Sequence, residues 1–336
     1  MGKKFVLDQE DSTAANGNLR GDFAVDLQMS RYNNAQVASG AASFVGGGSA
    51  NRATGANSVC VGGDNNFANG QRGFVGCGTL VTAGGLDSVC VGGNTNTASS
   101  NFSTISGGQS NTASTGTHAT VVGGQSNVAS GAHSVAGGQG NTASGSKATA
   151  FGTSNIVNGQ ESLVSGLLNT VSASRSFVTG YSNNVSGGHS IVVGWGNTSP
   201  SSFSGVIGNT CSAIGNYSFA NGATCVANGA KSFAQGNASS TGTANSSAFG
   251  SGSYTSLTNQ QSLGNNISYP GDSQTSKVVY GINTGQVSTG GTYTFVGTEL
   301  IVPKNGTYGS GVTQAYLCTA KFIYGARAKN WNSNNY

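Results

Sequence analysis

One residue pattern returns sixteen times between Gly47 and Gly264, and its register constrains the fold before any single side chain is considered. The residue closing each repeat is Gly47, Gly62, Cys77, Gly92, Gly107, Gly123, Gly138, Gly152, Gly166, Gly180, Gly194, Gly208, Gly222, Gly236, Gly250 or Gly264. The intervals are four of 15 residues, then 16 and 15, then nine of 14. A chain that is merely Gly-rich repeats its composition without holding such a register.

Within each repeat a small residue stands four before the closing position, as at Ser58, Ser88, Ser134, Ser176, Ser190, Ser218 and Ser232. Two before it runs an apolar column: Val45, Cys60, Val75, Cys90, Ile105, Val121, Ala136, Ala150, Val164, Val178, Val192, Val206, Ala220, Ala234 and Ala248. Residues two apart share one face of a strand, so small, apolar and Gly form a narrow inward face. Asn follows the Gly at Asn51, Asn66, Asn96, Asn111, Asn127, Asn141, Asn155, Asn169, Asn183 and Asn197, three residues on in the short repeats and four in most long ones. The extra residue of the long repeats is therefore expected in that turn, and the stacked Asn amides are expected to bond to one another. A 14-residue coil buries almost nothing alone, so the coils must stack. The expected fold is an all-β parallel β-solenoid of about sixteen coils over residues 36–268.

The opposite strand face carries a second stripe. Phe44, Val59, Phe74, Val89, Val135, Leu163, Phe177, Ile191, Phe219 and Phe233 stand three before the closing position. Val61, Val91, Val122, Phe151, Val193, Ile207, Phe249 and Leu263 stand one before it. A long exposed apolar stripe marks an interface, and three chains packed around one axis would bury it. Phe44, Phe74, Leu163, Phe177, Ile191, Phe219 and Phe233 are the expected trimer contacts.

The repeats Ser218-Phe219-Ala220-Asn221-Gly222 and Ser232-Phe233-Ala234-Gln235-Gly236 resemble the left-handed parallel β-roll of trimeric autotransporter adhesin heads. The longer repeats, such as Gly107-Gly108-Gln109-Ser110-Asn111-Thr112-Ala113-Ser114, look like repeats of bacteriophage tail fibres. So does the lead-in from Gly21-Asp22-Phe23-Ala24 to Gln36-Val37-Ala38-Ser39-Gly40. This resemblance covers about residues 21–265 and implies a homotrimeric, surface-exposed fibre. It places the chain in a virion tail, extracellular after synthesis in a host cytoplasm. The partners implied are a tail or baseplate protein at the N-terminal end and a host-surface glycan or protein. A bacterial adhesin or structural filament is the alternative.

Charge and composition narrow the classes further. Only 7% of residues are charged and the net charge is +4, spread too thinly for a nucleic-acid groove or a membrane patch. Residues 1–35 lie outside the repeat and read as an attachment or capping segment. Met1 to Asp8 has basic residues but no apolar run of signal-peptide length, so general secretory export is not expected. After Asn265 the pattern decays, and residues 269–336 read as a small β domain, beginning with the strand Lys277-Val278-Val279-Tyr280 in antiparallel pairing.

No enzyme, cofactor or metal site is expected. Glycan hydrolysis needs two facing carboxylates, whereas Asp64, Asp87 and Glu161 read as lying in different columns of distant coils. His118, His133 and His189 have no ligand cluster at metal spacing. Cys60 and Cys90 read as small buried hydrophobes, and Cys211 and Cys225, adjacent in the Asn column, as free thiols. An ice-binding solenoid is a minor alternative, because Thr82, Thr97, Thr112, Thr142, Thr170 and Thr198 form a single interrupted column.

Overall fold

The computed structural model describes residues 20–28, 30–32, 35–256, 258–264 and 277–281. They form a parallel β-solenoid of about sixteen rungs, and no helix occurs among the described residues. Contacts divide the chain into unit 1, which ends at Tyr181, and unit 2, which begins at Ser182.

Each rung contributes one strand to each of two sheets. Sheet A takes the strand with the small, apolar and Gly positions, and sheet B the strand that follows the Asn. Pairing is parallel and in register: in sheet A Leu163 faces Phe177 and Val164 faces Val178, and in sheet B Thr97 faces Thr112 and Ala98 faces Ala113. In-register stacking puts each position of the repeat over the same position in the next rung, so one favourable choice can be repeated along the column. The inner apolar column Val45, Val75, Ile105, Val121 and Val164, Val178 in unit 1, with Val192 and Val206 in unit 2, is fully buried. Sheet B answers it with Ala53, Ala83, Ala113, Ala143 and Val157, also fully buried. Such small side chains keep the two sheets close, and hydrophobic burial is spread evenly over the rungs.

The glycine register differs from the one read off the sequence. The column that stacks is Gly48, Gly63, Gly78, Gly93, Gly108, Gly124 and Gly138, one residue later than expected in the long rungs. Each has a positive φ, from 77° at Gly48 to 144° at Gly78. A Cβ at Gly48 would lie 2.1 Å from the Gly63 carbonyl oxygen, whereas one at Gly47 would meet nothing within 4 Å. Cys77 therefore interrupts nothing, because Gly78 fills the place. The extra residue of the long rungs also moves: it lies between the apolar and Gly columns, where the ladder shifts between Val121 and Gly123, and not between Gly and Asn. In most long rungs it cuts the sheet A strand from five residues, as in Leu163–Leu167, to two, as in Phe44–Val45, whereas Thr120–Gln125 runs through it. Gly–Gly pairs made either alignment plausible in sequence, and only backbone conformation distinguishes them.

The first rung of unit 1 is a polar cap. Asp26 sits in the inner column beside Val45, and its carboxylate accepts from Arg31 at 2.8 Å and from the Ala38 N–H at 3.2 Å. Gln28 accepts the Asn51 N–H at 2.8 Å and donates to the Asn51 carbonyl at 3.0 Å. Polar groups placed where the next coil would stack discourage end-to-end addition. Residues 1–19 of the segment expected to attach or cap lie outside the described residues.

At the other end, Lys277–Gly281 pairs in parallel with Gln260–Gly264, with Val279 against Ser262 and Gly281 against Gly264. This corrects the antiparallel pairing expected for that strand. The run Val279-Tyr280-Gly281 repeats the apolar, variable, Gly ending of a rung, so it continues sheet A. The remaining strands expected after residue 281 lie outside the described residues.

Candidate functional site

The described rungs present two sheet faces and the turn columns between them. The Asn column is internal to both units. Its members are at most 1% exposed. Asn141 shows the arrangement in unit 1: its amide donates to the carbonyls of Gly137 at 2.8 Å and Gly152 at 2.7 Å, and its oxygen accepts the Asn155 N–H at 3.0 Å. Amide-to-amide contacts of 2.9–3.1 Å join Asn111 through Asn169. The expected ladder exists, but its principal partners are backbone groups, so the column satisfies the turn that sheets alone leave unpaired. Asn51, Asn66, Asn96 and Asn111 in unit 1 and Asn183 and Asn197 in unit 2 donate in the same way. Val81 replaces Asn in one rung, where its N–H bonds to Asn66 at 2.9 Å.

In unit 2 the same column continues as cysteine. Cys211 donates to the Gly222 carbonyl at 3.2 Å, and Cys225 to the Gly236 carbonyl at 3.1 Å. Both are free thiols, and burial pushes the Cys211 thiol up from its ordinary value. Cys60 and Cys90 are buried in the inner apolar column of unit 1, where burial pushes each to about 12. These thiols are therefore protonated at neutral pH and act as small packing groups. Cys318 lies outside the described residues.

The turn after sheet B places one non-Gly residue of each rung in the left-handed region, with φ between 52° and 63° at positions such as Ala42, Arg72, Asp87, His118 and Glu161. Their side chains stack along unit 1. Arg72 clamps Asp87 through two bonds of 2.6 Å. Glu161 bridges Lys147 at 3.2 Å and Arg175 at 2.9 Å. Hydrogen bonds from these cations hold both carboxyls below their ordinary values. Asp87 and Glu161 thus share a column, contrary to the sequence expectation, because the turn residue recurs at a constant place in the rung. Each faces cations rather than the other carboxylate, and Asp64 stands apart, accepting from the Tyr32 hydroxyl at 3.2 Å. Between the ion pairs, Phe102, His118 and His133 stack at 4.8 and 4.7 Å, their planes within 11°. Parallel imidazoles do not converge their lone pairs on one point, and no group of three or more His, Cys, Asp or Glu suited to a metal occurs among the described residues.

The outward face of sheet A carries the apolar stripe. Phe44, Phe74, Leu163 and Phe177 lie in one column of unit 1, and Ile191, Phe219 and Phe233 in the corresponding column of unit 2. Val122 is 52% exposed, Leu163 43% and Phe177 41%.

The outward face of sheet B begins with Arg52 over the ring of Phe67 at 3.9 Å and is dominated by hydroxyls from Thr82 onward. In unit 1 the column Thr82, Thr97, Thr112, Val128, Thr142, Ile156 and Thr170 is held in register by consecutive pairings. Two residues on lies a second outward column: Ser99, Ser114, Ser130, Ser144, Asn158 and Ser172. Backbone bonds from Ser99 to Ala113, Ser114 to Ala129 and Ser130 to Ala143 carry the ladder through it. The hydroxyls therefore form a grid, about 4.8 Å between rungs and about 6.6 Å along each strand. The second column was missed in the sequence because only Thr was counted. The signal was present as the recurrent Thr-Ala-Ser, in which alternation puts Thr and Ser on the same face.

A parallel β-solenoid with an ordered hydroxyl face is the class defined by this geometry. Residues 114–208 match the family model described as grass antifreeze beta roll. The matched stretch is less than a third of the chain and includes Thr142, Thr170 and the serines from Ser114 to Ser186. No curated protein matches the chain. The comparisons give no support to a bacteriophage tail fibre or an autotransporter adhesin head.

Proposed function

We propose that the chain binds ice through the outward face of sheet B in unit 1. One observation carries this reading: the paired Thr and Ser columns make a two-dimensional grid of hydroxyls and methyls, and the likeness to a grass antifreeze beta roll falls on part of the same rungs. A crystalline surface is itself a grid, so only a repeating array can engage it at many points at once. Each hydroxyl contact is weak, and held in one rigid body the contacts add without separate ordering costs. The Val128 and Ile156 interruptions keep the column's methyl character while removing a hydroxyl.

The test is thermal hysteresis and inhibition of ice recrystallisation, compared between wild type and the Thr112→Tyr/Thr142→Tyr double variant. Two phenol rings would stand above the grid and hold it off a flat surface. Wild-type activity with near-complete loss in the double variant is the expected result. An inactive wild type, or an equally active double variant, overturns the reading.

The fibre reading, with a host-surface partner, rests on the resemblance of the repeat, and one observation favours it: the exposed apolar columns of sheet A suit a rod built from several copies. Negative-stain images showing slender appendages on a particle, labelled by antibody against this chain, would support it.

A further inference from the structure

We infer that sheet A of unit 1 is an interface between copies of this chain, apolar face to apolar face. The two faces of the same solenoid differ in chemistry although they are built from the same rungs. Sheet B shows hydroxyls. Sheet A shows, over the ten rungs from Phe44 to Phe177, side chains such as Val61, Val91, Val122, Phe151, Leu163 and Phe177, six of the apolar residues on that face.

Charge identifies the occupant. Neither outward column of sheet A holds a charged residue between Phe44 and Thr179, whereas the charges of these rungs lie elsewhere: Arg72, Asp87, Lys147, Glu161 and Arg175 in the turn column, Arg52 on sheet B and Asp64 in the turn before the Asn column. An exposed apolar face of this extent without charge marks an interaction surface. A face without charge, whose only polar side chains are the small hydroxyls Thr104, Ser106, Thr120, Thr149, Ser165 and Thr179, has nothing to steer a charged partner, and its best complement is another face like itself. The relief also fits: the Phe151 ring lies over Gly137, and the Phe44 ring beside Gly46, so large side chains fill the gaps left by neighbouring glycines and level the surface.

Size is sufficient. Ten rungs at about 4.8 Å and four residues at about 3.3 Å give a footprint of roughly 600 Å². A standard interface needs roughly 800 Å² of accessible surface per partner, and a relief of side chains exposes more than its flat footprint. Face-to-face packing of two sheets about 10 Å apart is an ordinary solution for such surfaces.

Sedimentation equilibrium of the full chain tests this. Wild type is expected at a mass of two or more copies, and Leu163→Asp/Phe177→Asp at the mass of one, with circular dichroism unchanged. A charge buried without a partner is strongly disfavoured, so association should weaken by at least about tenfold even for one substitution. Leu163→Ser, which adds no charge, guards against loss of fold and should shift the equilibrium the same way to a smaller degree. Thr142→Asp on sheet B should leave the mass unchanged. A monomeric wild type overturns the inference, as does an assembly that survives the double substitution. The measurement is independent of ice, so its failure leaves the sheet B reading standing, and the reverse.

Discussion

Gly47 and Gly48 are chemically identical neighbours with opposite constraints, and the difference lies in the rung above. Gly48 has a φ of 77° and would press a Cβ against the Gly63 carbonyl oxygen at 2.1 Å, while Gly47 has open space. Gly48→Ala is therefore expected to destabilise unit 1 by several kcal/mol through backbone strain and collision, and Gly47→Ala by less than about 1 kcal/mol. Chemical denaturation of the two variants checks the pair, and equal losses would disprove the revised register. Asn141 gives a second case. Asn141→Ala removes donors from two carbonyls and an acceptor from one N–H, all buried, for an expected loss of about 2–4 kcal/mol. Asn141→Cys should lose less, since Cys211 and Cys225 already cover carbonyls at this place with thiol donors. Calorimetry ranking the alanine variant above the cysteine variant would contradict that account.

Elements show what was legible in the chain and what was not. The inner column from Val45 to Val206 was readable because burial acts on side-chain type at fixed period, and sequence records type and period directly. The Asn column was readable for the same reason. The glycine register was not, since Gly47-Gly48 and its counterparts spell the same letter twice and φ is invisible in sequence. The turn column was also hidden: Arg72 and Asp87 are 15 residues apart, and only stacking makes them neighbours. These exposed pairs have a pH signature. The folded-state carboxyls of Asp87 and Glu161 lie below their ordinary values of 3.8 and 4.5, so their contribution is present above those values and is lost as pH falls through the lowered ones. A small drop in melting temperature is expected over that acid range, screened by salt. Glu161→Gln should flatten its share of the slope, and a slope unchanged by the substitution would argue against the pairing.

At the scale of the molecule, the two contact units share one rung plan but differ in what they show to water. The hydroxyl grid belongs to unit 1, whereas the corresponding outward positions of unit 2 run Thr198, Ser212, Val226, Ser240 and Tyr254, with Pro200 and Ile214 beside the first two. The ice reading and the self-association reading are therefore both statements about unit 1, and each can be tested without disturbing the other. The plan also explains why composition misleads for this chain: many glycines and few charges would suit disorder, but here the glycines are spent on close approach between successive rungs.

The single extra residue in the long rungs has a broader meaning. It sits between the apolar and Gly columns, where the ladder slips between Val121 and Gly123, and leaves every buried column in step, while the 16-residue rung takes a second extra residue in the turn between Ala113 and Ala119. That joint is a point of tolerated length. Insertions there change the contour of the outer surface while the interior keeps its count, so a lineage of such chains can remodel its exterior one residue at a time without renegotiating the core.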